Sequence, residues 1–167
     1  MALSVGSEWH RWDIHIHTPG TALNDNFGCS MNDFIKIVNE KSKEKDIIAL
    51  GITDYYSIRN YEKIKEKFDA GKIENIKLIF PNIEFRLGIR TEKSSAINIH
   101  LLISPDDPEH IYHINRNLQR LSFEYKDTEY FCVEDQIIRL GALLSHTIID
   151  DRKKYELGLP QFKLEVQ

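Results

Sequence analysis

Two histidines, His15 and His17, lie two residues apart in the mainly apolar segment 13–18 (DIHIHT). Because side chains at positions i and i+2 of a β-strand project from the same face, this spacing directs two imidazoles towards one point. Two neutral imidazole nitrogens can bind one divalent ion, and Asp13 on the same face could add an oxygen ligand or orient a ring. The same pattern also occurs in surface strands and in hydrogen-bonded cores, so a metal site needs support from the rest of the chain.

Further polar residues that could bind a metal follow or interrupt apolar segments along the chain. They are Asp54 after the run 47–52, Glu84 and His100 inside apolar stretches, and His146 after an Ala-Leu-Leu-Ser segment. Each has an ordinary structural alternative: Asp54 could cap the following turn, Glu84 could face water, and His100 could be a hydrogen-bonded core residue. A bound metal is the other explanation for Glu84, because a buried charge is costly unless it is paired or coordinated.

The elements that would position these residues alternate between strand and helix patterns. Strands are predicted at 11–17, 47–52, 76–80, around 83–85, 96–103 and 142–145, and helices at 30–44, 57–70, 108–121, 133–140 and 151–157, while 122–131 is ambiguous. Such alternation predicts an α/β fold with parallel strands. In that architecture the chemistry gathers at the carboxyl ends of the strands, where most of the candidate residues are expected to lie.

Size and composition fit one globular domain spanning 1–167. The chain has 167 residues, of which 41% are hydrophobic and 29% charged, and its net charge of −4 provides no overall basic field for nucleic acid. Two widely separated cysteines, Cys29 and Cys132, provide no disulfide framework, and no apolar stretch is long enough for a signal peptide or a membrane span. We therefore expect a cytoplasmic protein with no membrane association and no disulfide-linked partner.

The ordered series DIHIHT, GITD, NIEF, NIHLLIS and LLSHT resembles the metal-binding motifs of the polymerase and histidinol phosphatase (PHP) superfamily. Its members are distorted (β/α)7 barrels with up to three divalent ions at the strand ends, and they include phosphoesterases and exonuclease domains of DNA polymerases. The segment 6–28 is similar to the start of PHP domains that precede an AAA-like or SMC-like ATPase in proteins linked to phage defence. The resemblance implies a PHP-type barrel that is incomplete at the C-terminus.

The resemblance also implies a set of metal ligands in this chain. His15 and His17 would bind a first ion, Glu84 would bridge two ions, and His100 and His146 would complete the second site. Histidines combined with carboxylates suit Zn2+, Mn2+ or Fe, whereas Mg2+ prefers oxygen ligands alone. The late Asp-x-His pair of the family is absent. We therefore expect the chain to be the N-terminal part of a larger protein, with a naturally short variant as the alternative.

Other positions are linked to the family more loosely. Asp25 lies in the loop where members often carry another ligand, and Asp54 matches a Thr-Asp-His motif in which Tyr55 replaces the histidine, so that one ligand, expected for a third ion, is missing. The Tyr55 phenol is a poor ligand at neutral pH, but it could hydrogen-bond a phosphate or a water molecule. Arg86 and Arg152 are candidates for contacting a phosphate. The alternative for Arg86 is an outward-facing side chain, and for Arg152 it is a solvated helix face, as is typical of a charge run.

These observations predict a metal-dependent phosphoesterase, specifically a nuclease that hydrolyses phosphodiester bonds in DNA or RNA, and the resemblance implies a role in phage defence. The predicted catalytic residues are His15, His17, Asp54, Glu84 and His146. One alternative is a phosphatase that acts on small molecules. A second alternative, from a different class, is an inactive PHP-like module that binds or regulates a larger ATPase assembly.

Overall fold

The fold is a mixed α/β arrangement built on a curled four-stranded sheet, as seen in a computed structural model that describes residues 9–23, 27–93 and 96–163. The strands follow the order of the chain across the sheet: β1 (Arg11–Ile16), β2 (Ile47–Tyr55), β3 (Leu78–Arg90) and β4 (Ala96–Leu102). The first three strands are parallel, and β4 runs antiparallel to β3. The predicted α/β class is therefore confirmed.

Five α-helices and a small hairpin complete the described part of the chain. The helices are α1 (Met31–Lys45), α2 (Arg59–Asp69), α3 (His110–Leu118), α4 (Glu134–Leu144) and α5 (Asp151–Gly158), followed by a 3-10 turn at Leu159–Gln161. The segment 122–131 forms a hairpin of β5 (Ser122–Tyr125) and β6 (Thr128–Phe131). Its two-residue turn, Lys126-Asp127, has positive φ at both positions, as a type I′ turn requires. No described helix has the length and apolarity needed to span a membrane.

The hydrophobic core lies between one face of the sheet and the helices. Leu50 on β2 and Ile83 on β3 are buried in one cluster with Phe34 of α1 and Ile64 of α2. The helix α1 begins at Met31, within the predicted helix 30–44, and the Ser30 side chain accepts a hydrogen bond from a backbone N–H of its first turn. We call the opposite face of the sheet the polar face, because it carries Asn82 and Glu84, although the apolar Phe80 lies on it as well.

The strand register sets those polar side chains side by side. Tyr55 on β2 pairs with Glu84 on β3, and Glu84 pairs in turn with His100 on β4. Directly paired residues project from the same face of a sheet. The end of β2, the middle of β3 and the middle of β4 therefore present their polar residues to a common region beside the end of β1.

Three predictions about the elements were wrong. β4 is antiparallel, because the short connection 91–95 can form a hairpin but not the crossover that a parallel pair needs. The predicted strands at 76–80 and 83–85 are not separate: residues 78–80 and 83–85 belong to one strand, β3, which begins at Leu78 and includes Pro81. The segment 142–145 is the end of α4 and its C-cap, because Ile137, Leu140 and Gly141 continue a buried helical stripe, so His146 does not follow a strand.

Candidate metal centre

Four side chains meet on the polar face of the sheet: His15 on β1, His17 just after β1, Glu84 on β3 and His100 on β4. The Nε2 atoms of His15 and His17 are 3.1 Å apart, and Glu84 Oε2 lies 3.6 Å from the first and 3.7 Å from the second. One possible ligand atom from each of His15, Glu84 and His100 lies within 4.8 Å of the other two. We call His15, His17, Glu84 and His100 the ligand group. Two overlapping triads share His15 and Glu84 within it.

Glu84 is the buried centre of this group. Its side chain is only 4% exposed, and its Oε1 accepts a hydrogen bond of 2.5 Å from Asn98 Nδ2. The other oxygen, Oε2, is buried and has no hydrogen-bond partner among the described residues, and it faces the two histidine nitrogens. A buried carboxylate oxygen without a partner costs stability. A divalent ion between Glu84 and the imidazoles would remove that cost, so these residues fit a metal.

The protonation state of His17 also fits a metal ligand. Its Nδ1 lies 3.1 Å from the backbone carbonyl oxygen of Thr53. A carbonyl oxygen can only accept, so Nδ1 carries the proton and Nε2 presents a lone pair to the ligand group. Burial and the neighbouring His15 lower the pKa of His17, which keeps the ring neutral at physiological pH. A neutral ring held by a carbonyl is the usual arrangement of a metal-binding histidine.

Tyr55 and Arg86 lie next to the ligand group, on the side of His17. The Tyr55 ring stacks on His17 with a centroid distance of 5.6 Å and an interplanar angle of 18°. The guanidinium carbon of Arg86 lies 5.3 Å from the centroid of the Tyr55 ring. Burial and the charge of Glu84 raise the pKa of Tyr55, so its phenol is protonated and can donate a hydrogen bond at neutral pH. Both residues thus lie beside the ligand group, where a substrate could contact them.

Asp54 is buried but belongs to a separate hydrogen-bond network. Its Oδ2 accepts the backbone N–H of Asn60 at 2.8 Å, and its Oδ1 accepts from Asn60 Nδ2 at 2.7 Å and Thr21 Oγ1 at 3.3 Å. These bonds hold the start of α2 in place. Asp54 therefore has the capping role that the sequence offers as the alternative to metal binding. Burial raises the pKa of Asp54 to about 6, and the hydrogen bonds from Asn60 and Thr21 partly oppose that rise.

The remaining predicted residues lie elsewhere. His146 is exposed in the turn after α4 and is not part of the compact His15–Glu84–His100 triad, while Arg152 donates to Glu156 on its own helix at 3.0 Å. Asp25 lies outside the described residues. Asp13 contacts the backbone and not an imidazole ring through this oxygen: its Oδ1 accepts a hydrogen bond from the backbone N–H of His15 at 3.3 Å.

Sequence reasoning missed two asparagines that support the ligand group. Asn98 binds Glu84, and Asn82 Oδ1 lies 3.0 Å from His100 Nδ1. A signal was present, because Asn82 and Asn98 each precede a ligand-group residue by two positions and therefore share its strand face. No protein-family model and no curated protein matches this chain. The interpretation of the site therefore rests on its own geometry and on the motif resemblance.

Proposed function

We propose that this chain is a metal-dependent phosphoesterase domain of the PHP type that hydrolyses phosphodiester bonds in DNA or RNA. The observation that carries the proposal is the buried, unpartnered Oε2 of Glu84, which faces two histidine nitrogens on the polar face of the sheet. The order of the motifs along the chain supports the family assignment. A distorted (β/α)7 barrel of the PHP type, a cytoplasmic location, an ATPase domain or subunit as partner and a role in phage defence are parts of the same proposal.

The ligand group would hold the ions. Three imidazoles and one carboxylate suit Zn2+, Mn2+ or Fe. Divalent ions held there would stabilise negative charge on the phosphoryl oxygens and lower the pKa of bound water towards neutral. Glu84 belongs to both triads, so its carboxylate would be the ligand that two ions have in common, while Asn98 fixes the orientation of that carboxylate. His17 is kept in its neutral, metal-binding form by Thr53.

The substrate phosphate would lie next to Arg86 and Tyr55. Arg86 is two residues beyond Glu84 on β3, so its side chain leaves the same face of the strand. A guanidinium can bind two phosphate oxygens at once, and the protonated Tyr55 phenol can donate a third hydrogen bond. Catalytic roles for Asp54 and His146 remain predictions from the resemblance, and substrate contact by Arg152 remains a prediction from its charge and its position in the sequence.

A specific observation favours the alternative of an inactive module. Tyr55 occupies the place of a family histidine and stacks on His17, and His146 is exposed on a turn outside the compact triad. A chain with a reduced ligand set could bind metal without turnover and act as a binding domain of a larger assembly. Phosphatase activity on small molecules stays open, because the ligand group determines the chemistry at phosphorus and not the remainder of the substrate.

Metal content and hydrolysis measured on the same preparations test these possibilities. We expect purified protein to hold about two transition-metal ions per chain, and to hydrolyse a nitrophenyl phosphodiester and single-stranded oligonucleotides when Mn2+ or Zn2+ is supplied. The His15→Ala/His17→Ala double variant should lose both properties. His113→Ala is the matched control, because His113 is a half-exposed histidine on α3 outside the ligand group.

The outcomes separate the three functions. Hydrolysis of a phosphomonoester alone would identify a small-molecule phosphatase. Stoichiometric metal without hydrolysis of any ester would identify an inactive module. Trace metal, with hydrolysis unchanged in the double variant, would contradict the proposed function altogether.

A further inference from the structure

Asn82 joins two strands that are not neighbours in the sheet. It lies on β3 and is only 1% exposed. Its Nδ2 donates a hydrogen bond of 2.7 Å to the backbone carbonyl of Ile14 on β1, while its Oδ1 lies 3.0 Å from His100 Nδ1 on β4. The side chain therefore passes over β2 to reach β1. It links the strand that carries His15 to the strand that carries His100.

Gly51 makes this crossing possible. Gly51 lies on β2 beside Ile14, and a Cβ atom added there would be 2.3 Å from the Ile14 carbonyl oxygen. The pairing of β1 with β2 is irregular between Asp13 and Ile16, as in a β-bulge, which redirects the Ile14 carbonyl. Only a residue without a side chain leaves room for that carbonyl to approach β2 and to meet Asn82.

The bond to Ile14 fixes which end of the Asn82 amide faces His100. A backbone carbonyl only accepts hydrogen bonds, so the nitrogen of the amide must point to Ile14 and the oxygen to His100. An amide oxygen also only accepts, so Nδ1 of His100 must carry the proton. The lone pair of His100 is then on Nε2, as it is in His17, whose Nδ1 donates to Thr53.

We propose that Asn82 is a positioning residue that holds His100 in the Nδ1–H tautomer, so that Nε2 is available to a metal. The role of Asn82 in metal binding rests on the proposed metal centre, whereas the His100 tautomer is a property of the metal-free protein. The hydrogen bond made by one ring nitrogen determines which nitrogen is protonated. Loss of the Asn82 oxygen would free His100 to rotate and to protonate Nε2. Loss of such an outer partner typically weakens metal binding by about 10–100-fold.

The test reads the tautomer directly in metal-free protein labelled with 15N-histidine. Long-range proton–nitrogen correlation spectra, recorded above the imidazole pKa and assigned with His100→Gln, should show the Nδ1–H form of His100 in the wild type. Asn82→Leu removes both hydrogen bonds of the amide and should shift His100 towards the Nε2–H form. Asn82→Asp keeps an acceptor and should retain the Nδ1–H form even though it loses the donation to Ile14.

Titration with Zn2+ completes the test. Affinity should fall about 10–100-fold in Asn82→Leu and less in Asn82→Asp. Asn75→Leu is the control, because Asn75 also bridges two backbone carbonyls, those of Ser42 and Ile47, away from the ligand group. It should lower stability while leaving the His100 tautomer and the Zn2+ affinity unchanged.

An Nε2–H form of His100 in the wild type overturns the inference, even if Asn82→Leu fails to fold. So does an Asn82→Leu variant that keeps both the wild-type tautomer and the wild-type affinity. Failure of the proposed hydrolysis is distinguishable, because it would leave the metal-free spectra as expected while no phosphoester is cleaved.

Discussion

Replacing Gly51 by alanine should disturb the ligand group and the stability of the sheet together. The new Cβ would lie 2.3 Å from the Ile14 carbonyl oxygen and 2.9 Å from the Phe80 ring, whereas ordinary contacts begin at 3.4 Å. The strand β1 must therefore move by roughly 1 Å, an overpacking change that costs about 1–3 kcal/mol. For a chain of this size the melting temperature should fall by roughly 2–12 °C.

The same movement displaces His15, which follows Ile14 directly. A shift of roughly 1 Å is about half the length of a zinc–nitrogen bond, so we expect the Zn2+ affinity to fall at least about tenfold. Calorimetric titration and thermal unfolding of metal-free protein measure the two effects separately. Gly71→Ala is the control, because Gly71 has φ +69° with no atom near the added Cβ, and it should cost about 1 kcal/mol without changing metal binding.

Two outcomes would refute this reasoning. One is a Gly51→Ala variant that melts at the wild-type temperature, which would mean that β1 and β2 are not packed as closely as described. The other is a variant that loses stability but binds Zn2+ with wild-type affinity, which would mean that the position of β1 does not control the ligand group.

Two further predictions concern Asp54 and Arg86. The pKa of Asp54 rises from 3.8 to about 6 on folding, so the folded protein binds more protons than the unfolded chain between these values. The associated stabilisation, about 3 kcal/mol, is complete below pH ~4 and is lost as the pH rises through ~6. The free energy of unfolding, measured with urea, should therefore fall over this pH range in the wild type and fall less in Asp54→Asn. The same pH dependence in both proteins would contradict this prediction. Arg86→Ala should raise KM for a phosphodiester more than it lowers kcat, with metal content unchanged, and Arg86→Lys should restore only part of the loss because it cannot bind two oxygens in a fixed fork. An unchanged KM in steady-state kinetics would remove Arg86 from the substrate site.

The sequence predicted most of the strands and helices and the α/β class, because periodicity reports which face of an element is buried. It did not predict the direction of β4, although the short connection 91–95 was a usable indication. It also misplaced His146, because a short apolar run such as 142–145 fits a buried strand and the end of an amphipathic helix equally well. Periodicity does not distinguish the two in so few residues.

Only part of the candidate site was predictable from the sequence. Strand spacing places His15 and His17 on one face, but the pairing of Glu84 with His100 depends on a register that only the folded chain reveals. The roles of Asn82 and Asn98 depend on single hydrogen bonds between distant segments. Asp54 illustrates the opposite case, since its type and position suit a ligand but local capping of α2 uses its oxygens instead.

The most direct measurement of the central claim is the anomalous difference density of a crystal of this protein equilibrated with Zn2+. We predict a peak on the polar face of the sheet, with imidazole nitrogens and Glu84 Oε2 at about 2.0–2.2 Å from the ion. A Zn2+ ion bound only at other residues, with the Glu84 carboxylate uncoordinated, would contradict the account.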